Sequence, residues 1–359
     1  MNRTALPAGV IDPHIHQWDP YRTPREVSTQ ARLLRPLPRI PRLLKYALPQ
    51  ADREFVGEPH HVLKPYLPAD YRRDADSVDV STVVHVEASW HAATPWESVD
   101  ETRWVAGLPF GSDGSPRLDA IVGHADPRSS SIAGVLDAHL AASPLFRGIR
   151  FSATNHPDRG VRDFSTAPGV LSSPEFLRGF AEVAARDLSF EIWVFAHQLP
   201  DAVVLAREFP ETTFVLDHYA TPVGAFAPRG RDTGRTPADR DRILRQWRDD
   251  IAALAEFGNV VAKHSGLGMP MLGGHPDDGA LLIRHLHDVF GSERTMWASN
   301  FPIDKPGHRI PDSARLVLDV LGSDADPANL FRDVARRTYR IDDRNGRSET
   351  SERRDTIEP

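Results

Sequence analysis

The sequence predicts a (β/α)8 TIM barrel, a ring of eight parallel strands with helices outside, interrupted by a long insertion after strand one. Three observations predict it. Short β-branched, apolar runs alternate with longer amphipathic patterns along most of the chain, as β/α units on a parallel sheet do. Eight such units occupy about 290 residues, close to the length such a barrel needs. Polar residues end most of the runs, where a barrel builds its site, and no Gly-x-Gly-x-x-Gly turn follows the first run as in a doubly wound open sheet.

The strands are read, in order, at Val10 to His14, Thr82 to Glu87, Ala120 to His124, Arg147 to Phe151, Phe190 to Phe195, Thr213 to Leu216, Asn259 to Ala262 and Thr295 to Ala298. Helical patterns fall near 95–107, 129–142, 173–187, 200–209, 239–256 and 278–290, with closing helices near 312–321 and 327–338. A single barrel is expected over 9–341, and residues 19–68 form the insertion, too long for a plain connection. Residues 342–359, charged and almost free of apolar side chains, read as a disordered tail.

The insertion is locally basic. Between 21 and 53, Arg22, Arg25, Arg32, Arg35, Arg39, Arg42, Lys45 and Arg53 face only Glu26 and Asp52. Pro36, Pro38 and Pro41 forbid a long helix there. Because it follows strand one, the insertion must lie at the barrel mouth, as a lid that attracts anions or as a solvated or subunit-packing loop. A homo-oligomer is compatible with the sequence.

Composition narrows the chemistry. The net charge of −7 and the lack of a recognised motif argue against a nucleic-acid partner. No run approaches eighteen apolar residues, and the first residues lack the apolar segment of a secretory signal, so a cytoplasmic protein without membrane attachment is expected. With no cysteine, any metal must be held by His, Asp or Glu.

His14 and His16, in Asp12-Pro13-His14-Ile15-His16-Gln17-Trp18, lie two apart on a strand and face the same way. Spacing alone is weak, since sixteen histidines in this length give roughly 0.7 such pairs by chance. His285 and His287 share it, but on an amphipathic helix, where neighbours two apart diverge. What singles out the first pair is the company at the other strand ends: Glu87, His124, Asp126, Arg150, His197, Asp217, His218, Lys263, His264 and Asn300, with Asp304 just beyond. His14, His16 and His197 are expected to converge, either holding a divalent metal or acting as acid and base. Arg150 either grips a substrate carboxylate or pairs with Glu87 or Asp217, and Lys263 stands in similar company.

These residues resemble the amidohydrolase superfamily, in particular its amidohydrolase-related branch of lactonases and decarboxylases. The resemblance runs over roughly 9–340 and rests on Asp12 to Asp19, Gly148-Ile149-Arg150, Val215-Leu216-Asp217-His218 and Trp297-Ala298-Ser299-Asn300-Phe301-Pro302. It implies a His-x-His on strand one, histidines after strands five and six and an aspartate after strand eight, positions that fall on His14, His16, His197, His218 and Asn300. Asn300 is a departure, because an amide neither carries charge nor accepts a proton; Asp304, four residues on, can supply the carboxylate or be a turn residue.

The resemblance implies hydrolysis of a small, carboxylated lactone by a water activated beside His14, His16 and His197, with Asp304 or a bound metal assisting and Arg150, His218, Glu87 and Lys263 holding a small anionic substrate. One zinc or manganese ion, or none, is compatible with it. The alternatives are a metal-dependent decarboxylase of an aromatic or unsaturated acid, and a barrel that binds a ligand without turnover.

Overall fold

The computed structural model describes residues 6–37, 46, 48–165, 167–272 and 276–342. Its sheet has eight strands in sequential order, β1 (Val10–Ile15), β2 (Val80–Val86), β3 (Arg117–His124), β4 (Phe146–Ser152), β5 (Ser189–Trp193), β6 (Phe214–Leu216), β7 (Val260–His264) and β8 (Thr295–Trp297). Every neighbouring pair is parallel. The ring closes where Asn300 N–H donates to the His14 carbonyl at 2.9 Å and His16 N–H to the Phe301 carbonyl at 2.8 Å. This is the expected TIM barrel, with each strand within a few residues of its predicted place.

Helices start where the local chemistry lets them. Thr236 caps Pro237–Ala255 by accepting from Asp239 N–H, while Pro237 supplies the fixed φ of a first turn. Ser173 does the same for Pro174–Ala184, accepting from Phe176 N–H. The helix Pro276–Phe290 carries His285 and His287 apart, to the Arg248 carbonyl and the Thr295 hydroxyl respectively, so this pair does not chelate.

Alternation along the strands separates two cores. Outside the sheet, Phe180 meets Phe190 edge-on at 5.2 Å and Phe214 at 5.6 Å, tying a helix to β5 and β6. Inside the lower barrel, Ile11, Val84, Val86, Ala120, Val122, Val215 and Met296 pack together with Tyr339 and Ile341 from the chain's last described turn. Two residues further along, the inward positions turn polar: Val215 is followed by Asp217, and Val261 by Lys263. The apolar layer is the floor of the site.

The insertion is bracketed by a short antiparallel bridge, Trp18 to Tyr66, with N–H to carbonyl distances of 3.1 and 2.8 Å. Between them run helices at Ser28–Leu34, Gln50–Val56 and Pro59–Val62. The first stops before Pro36; Pro38, Arg39, Pro41, Arg42, Lys45 and the tail from 343 lie outside the described residues. No helix among the described residues is long and apolar enough to cross a membrane.

Candidate active site

A cavity of about 440 Å³ opens at the carboxyl ends of the strands. Its base is formed by His16, Glu87, Arg150, Trp193, His218 and Asn300, and its upper wall by insertion residues such as Val27, Asp52 and Phe55. The insertion therefore covers the site, as its position after β1 required.

Arg150 is the most heavily engaged residue at the base. Its Nε donates to Glu87 Oε1 at 2.7 Å and its Nη2 to the Glu87 carbonyl at 2.8 Å, while Nη1 lies 3.4 Å from both Asp217 Oδ2 and His14 Nε2. Burial alone would raise the Glu87 carboxyl, but Arg150 overrides it and holds the group down at about 2. Of the readings open for Arg150, the structure realises the pairing with Glu87 and Asp217 and still presents the residue to the cavity.

Below it lies a buried ionic cluster. Lys263 Nζ donates to Glu191 Oε2 at 2.5 Å, stands 3.2 Å from Asp217 Oδ1 and 3.0 Å from His14 Nδ1, and sits over the Tyr339 ring. Lys263 does not line the cavity, so the expectation that it touches substrate is corrected: its side chain is fully buried among carboxylates. Burial pushes Glu191 up to about 8, whereas at Asp217 the effect of burial is overridden by Lys263 and His14, which hold its carboxyl well below the usual range. The cluster is then balanced at neutral pH, with Arg150 and Lys263 against Glu87 and Asp217.

His14 has cations at both ring nitrogens. Burial, with Lys263 beside it, keeps the imidazole well below its ordinary value against the pull of Asp217. His16 points elsewhere, Nδ1 to the Val86 carbonyl at 2.9 Å and Nε2 to Asn300 Oδ1 at 3.1 Å. His197 does not join them. β5 ends at Trp193, and the turn Ala196–Gln198 carries His197 to the exposed rim, where its Nε2 meets the Asn155 carbonyl at 3.1 Å and its ring lies 5.1 Å from His156. The expected cluster of His14, His16 and His197 is thus replaced by His14, Asp217 and His218.

His218 stands at the cavity with Nδ1 2.8 Å from Ser265 Oγ and its ring 4.7 Å from that of His14. It opens a run of four non-glycine residues with positive φ, His218 to Thr221 at 51°, 56°, 52° and 35°. Each costs about 1–3 kcal/mol, the kind of local strain that collects at functional sites. Gly266 makes room for it: its φ is +81°, and a Cβ there would lie 2.6 Å from His218 Cβ.

Asn300 also has positive φ, 53°, a conformation that asparagine tolerates better than most residues. Its Nδ2 donates to Asp304 Oδ1 at 2.7 Å, and Asp304 Oδ2 accepts from Gly268 N–H at 3.1 Å. Asp304 is buried and does not line the cavity, so it does not take the mouth position of the missing aspartate; it backs Asn300 instead. Burial lifts its carboxyl from 3.8 to about 7, against the hydrogen bonds from Gly268 and Asn300. A raised acid stabilises the fold only while protonated. Its contribution is present below pH about 4 and lost as the pH rises through about 7, at up to about 1.4 kcal/mol per pH unit. Replacement of Asp304 by Asn is expected to flatten the stability profile across that window, read by urea unfolding at several pH values; an unchanged slope would mean that Asp304 is ionised throughout.

His14, Asp217 and His218 offer ligand atoms all within 4.8 Å of one another, a spacing that can hold a metal ion. The surrounding charge fits less well. Arg150 and Lys263 already face the lone pairs of His14 and Asp217, and like charges about 4 Å apart repel by about 4 kcal/mol per unit product at an effective dielectric of about 20. The donor set suits a divalent ion in spacing but not in charge.

An eight-stranded parallel barrel with histidine, aspartate, lysine and arginine gathered at the strands' carboxyl ends defines an amidohydrolase-type barrel. The chain belongs to the amidohydrolase family, whose model matches residues 11–341. It is 29% identical to the uncharacterized protein y4mH of Sinorhizobium fredii over 92% of this chain and 98% of that protein. It is 31% identical to an L-fucono-1,5-lactonase of Burkholderia ambifaria, over 68% of this chain and 81% of the relative. Among solved structures, an amidohydrolase of Burkholderia multivorans with bound zinc superposes with a TM-score of 0.67 at 22% identity, covering 93% of this chain and all of that one. A dihydroxybenzoic acid decarboxylase of Polaromonas with bound manganese does so at 0.53 and 15%, covering 93% of this chain and 97% of that one.

Proposed function

We propose that this protein opens a small lactone by attack of water, without a metal in the bond-making step. The observation that carries the reading is the pairing, at the base of one cavity, of a guanidinium and a neutral imidazole: Arg150 and His218. Its support from relatives is the lactonase named above. The lactone carbonyl oxygen would lie against the Arg150 guanidinium where it lines the cavity. His218 Nδ1 lies 2.8 Å from Ser265 Oγ, and the tautomer that donates there would leave the Nε2 lone pair for water.

Water oxygen bonds to the carbonyl carbon, its proton passes to His218 Nε2, and the carbonyl electron pair moves onto the oxygen that Arg150 stabilises. The ring C–O bond then breaks, and the departing alkoxide recovers the proton from His218, giving a hydroxy acid. Burial, with Arg150 nearby, holds His218 at about 3, so it is unprotonated at neutral pH, and Asp217 beside it favours the transient imidazolium. A substrate carboxylate would have to compete with Glu87 and Asp217 for Arg150, which shifts the expected substrate away from strong anions.

A pH-indicator assay on γ- and δ-lactones, with and without chelator, tests the reading. Proton release insensitive to chelator is expected, and H218N should lower kcat by about 10²–10⁴-fold. Turnover that needs added manganese and releases carbon dioxide would overturn it in favour of a decarboxylase. Full activity in H218N would remove His218 from the mechanism.

A further inference from the structure

The wall of the cavity that rises beside Arg150 and His218 is built for an apolar group, starting at Trp193, whose ring lies 5.2 Å from the Arg150 guanidinium. Phe55 from the insertion, Phe164 from the loop after β4 and Trp193 from the end of β5 form one aromatic surface, with centroids 4.8 Å apart for Phe55 and Phe164 and 5.0 Å for Phe164 and Trp193. Val27, Met269 and Ile303 extend the lining. The carboxylates on the wall are already paired: Arg162 binds Asp52 at 2.5 Å and Glu26 at 2.9 Å, and Arg150 holds Glu87. Arg162 also stacks on Phe55 and Phe164, which fixes the two rings relative to each other. Arg25 donates through Nη1 to the Ala88 carbonyl and lies over the Trp18 ring.

Such a wall has little to offer a ring of hydroxyl groups. Each substrate hydroxyl placed there would give up its hydrogen bonds to water with few unpaired partners in return. Two buried donors in the lining, the Trp193 indole N–H and Arg25 Nε, have no hydrogen-bond partner, enough for one or two acceptor oxygens but not for a ring of hydroxyls. We infer that the natural substrate is a lactone bearing an alkyl or aryl substituent, seated against Phe55, Phe164 and Trp193, and not a polyhydroxylated sugar lactone. This rests on the hydrolase reading for turnover, but recognition by the wall is separable from it.

The test uses the full chain and two matched series. In the first, kcat/KM is measured for δ-valerolactone carrying no, ethyl, butyl or phenyl substituents and for a sugar δ-lactone. A rise of about 3–4-fold per added methylene is expected, and F55A and F164A should each reduce the butyl-to-unsubstituted ratio by at least tenfold, with melting temperature checked for folding. In the second, binding of the corresponding non-hydrolysable δ-lactams is followed by tryptophan fluorescence, with the same expected gradient. If the lactams show the gradient while no lactone is opened, the apolar wall stands and the hydrolase reading falls. If affinity is flat along the alkyl series, or a hydroxylated or carboxylated lactam binds more tightly than the butyl one, the inference is overturned whatever the turnover.

Discussion

Replacement of Arg150 by methionine is expected to reduce lactone turnover by about 10²–10³-fold, the usual cost of removing a donor that stabilises a developing oxyanion. It should also destabilise the protein by about 3–5 kcal/mol, because Glu87 and Asp217 are left as buried carboxylates without their guanidinium. Those two losses have different origins and can be separated. In R150M the largest force opposing the effect of burial on Glu87 is gone, so its carboxyl rises from about 2. Adding E87Q removes that charge, and the double variant should regain much of the lost stability in urea unfolding while gaining no activity. R150K, which keeps the charge but not the fork that binds Glu87 through Nε and Nη2, should recover only part of either. Recovery of turnover in the Arg150 and Glu87 double variant would make Arg150 a purely structural residue.

The barrel was legible because a buried strand of a parallel sheet must be apolar on both faces, so Val83 to Val86, Phe190 to Val194 and Phe214 to Leu216 announce themselves. His14 and Arg150 were legible for the complementary reason, as polar residues where such runs end. His197 misled because position after a run does not say where the turn leads; four residues beyond the edge of β5, the chain has already turned toward the helix Leu199–Glu208. Glu191 was missed altogether. Its signal was a lone carboxylate between Phe190 and Ile192, inside a strand instead of at its end, and its partner Lys263 lies two strands away, so only the closed ring shows that they meet at 2.5 Å. Asn300 read as the loss of a catalytic acid. Its left-handed φ, its bond to Asp304 and its closure of the ring onto His14 give it a structural reason to be there.

Replacing Lys263 by methionine, similar in length and uncharged, is expected to cost about 3–5 kcal/mol at pH 8, where Asp217 would be left a buried carboxylate without the ammonium 3.2 Å away. The loss should shrink on acidification, and the sign follows from His14. In the wild type, burial and the Lys263 charge 3.0 Å away hold its imidazole unprotonated, although Asp217 stands 3.2 Å from Nδ1. Without the ammonium, the Asp217 attraction acts with less opposition, and the His14 imidazole is held less far below its ordinary value. A base held low in the folded state costs stability as the pH falls below its unfolded value of 6.5, and the variant, with the smaller depression, loses less there than the wild type. The difference in unfolding free energy between wild type and K263M should therefore be smaller at pH 5 than at pH 8, and the His14 proton signal should titrate at higher pH in the variant than in the wild type. Addition of E191Q should change stability little at pH 8, since Glu191, pushed up to about 8 even beside the ammonium, rises further without it and carries no charge there. An equal deficit at both pH values would show that the ammonium holds the barrel floor by its packing over Tyr339 and not by its charge.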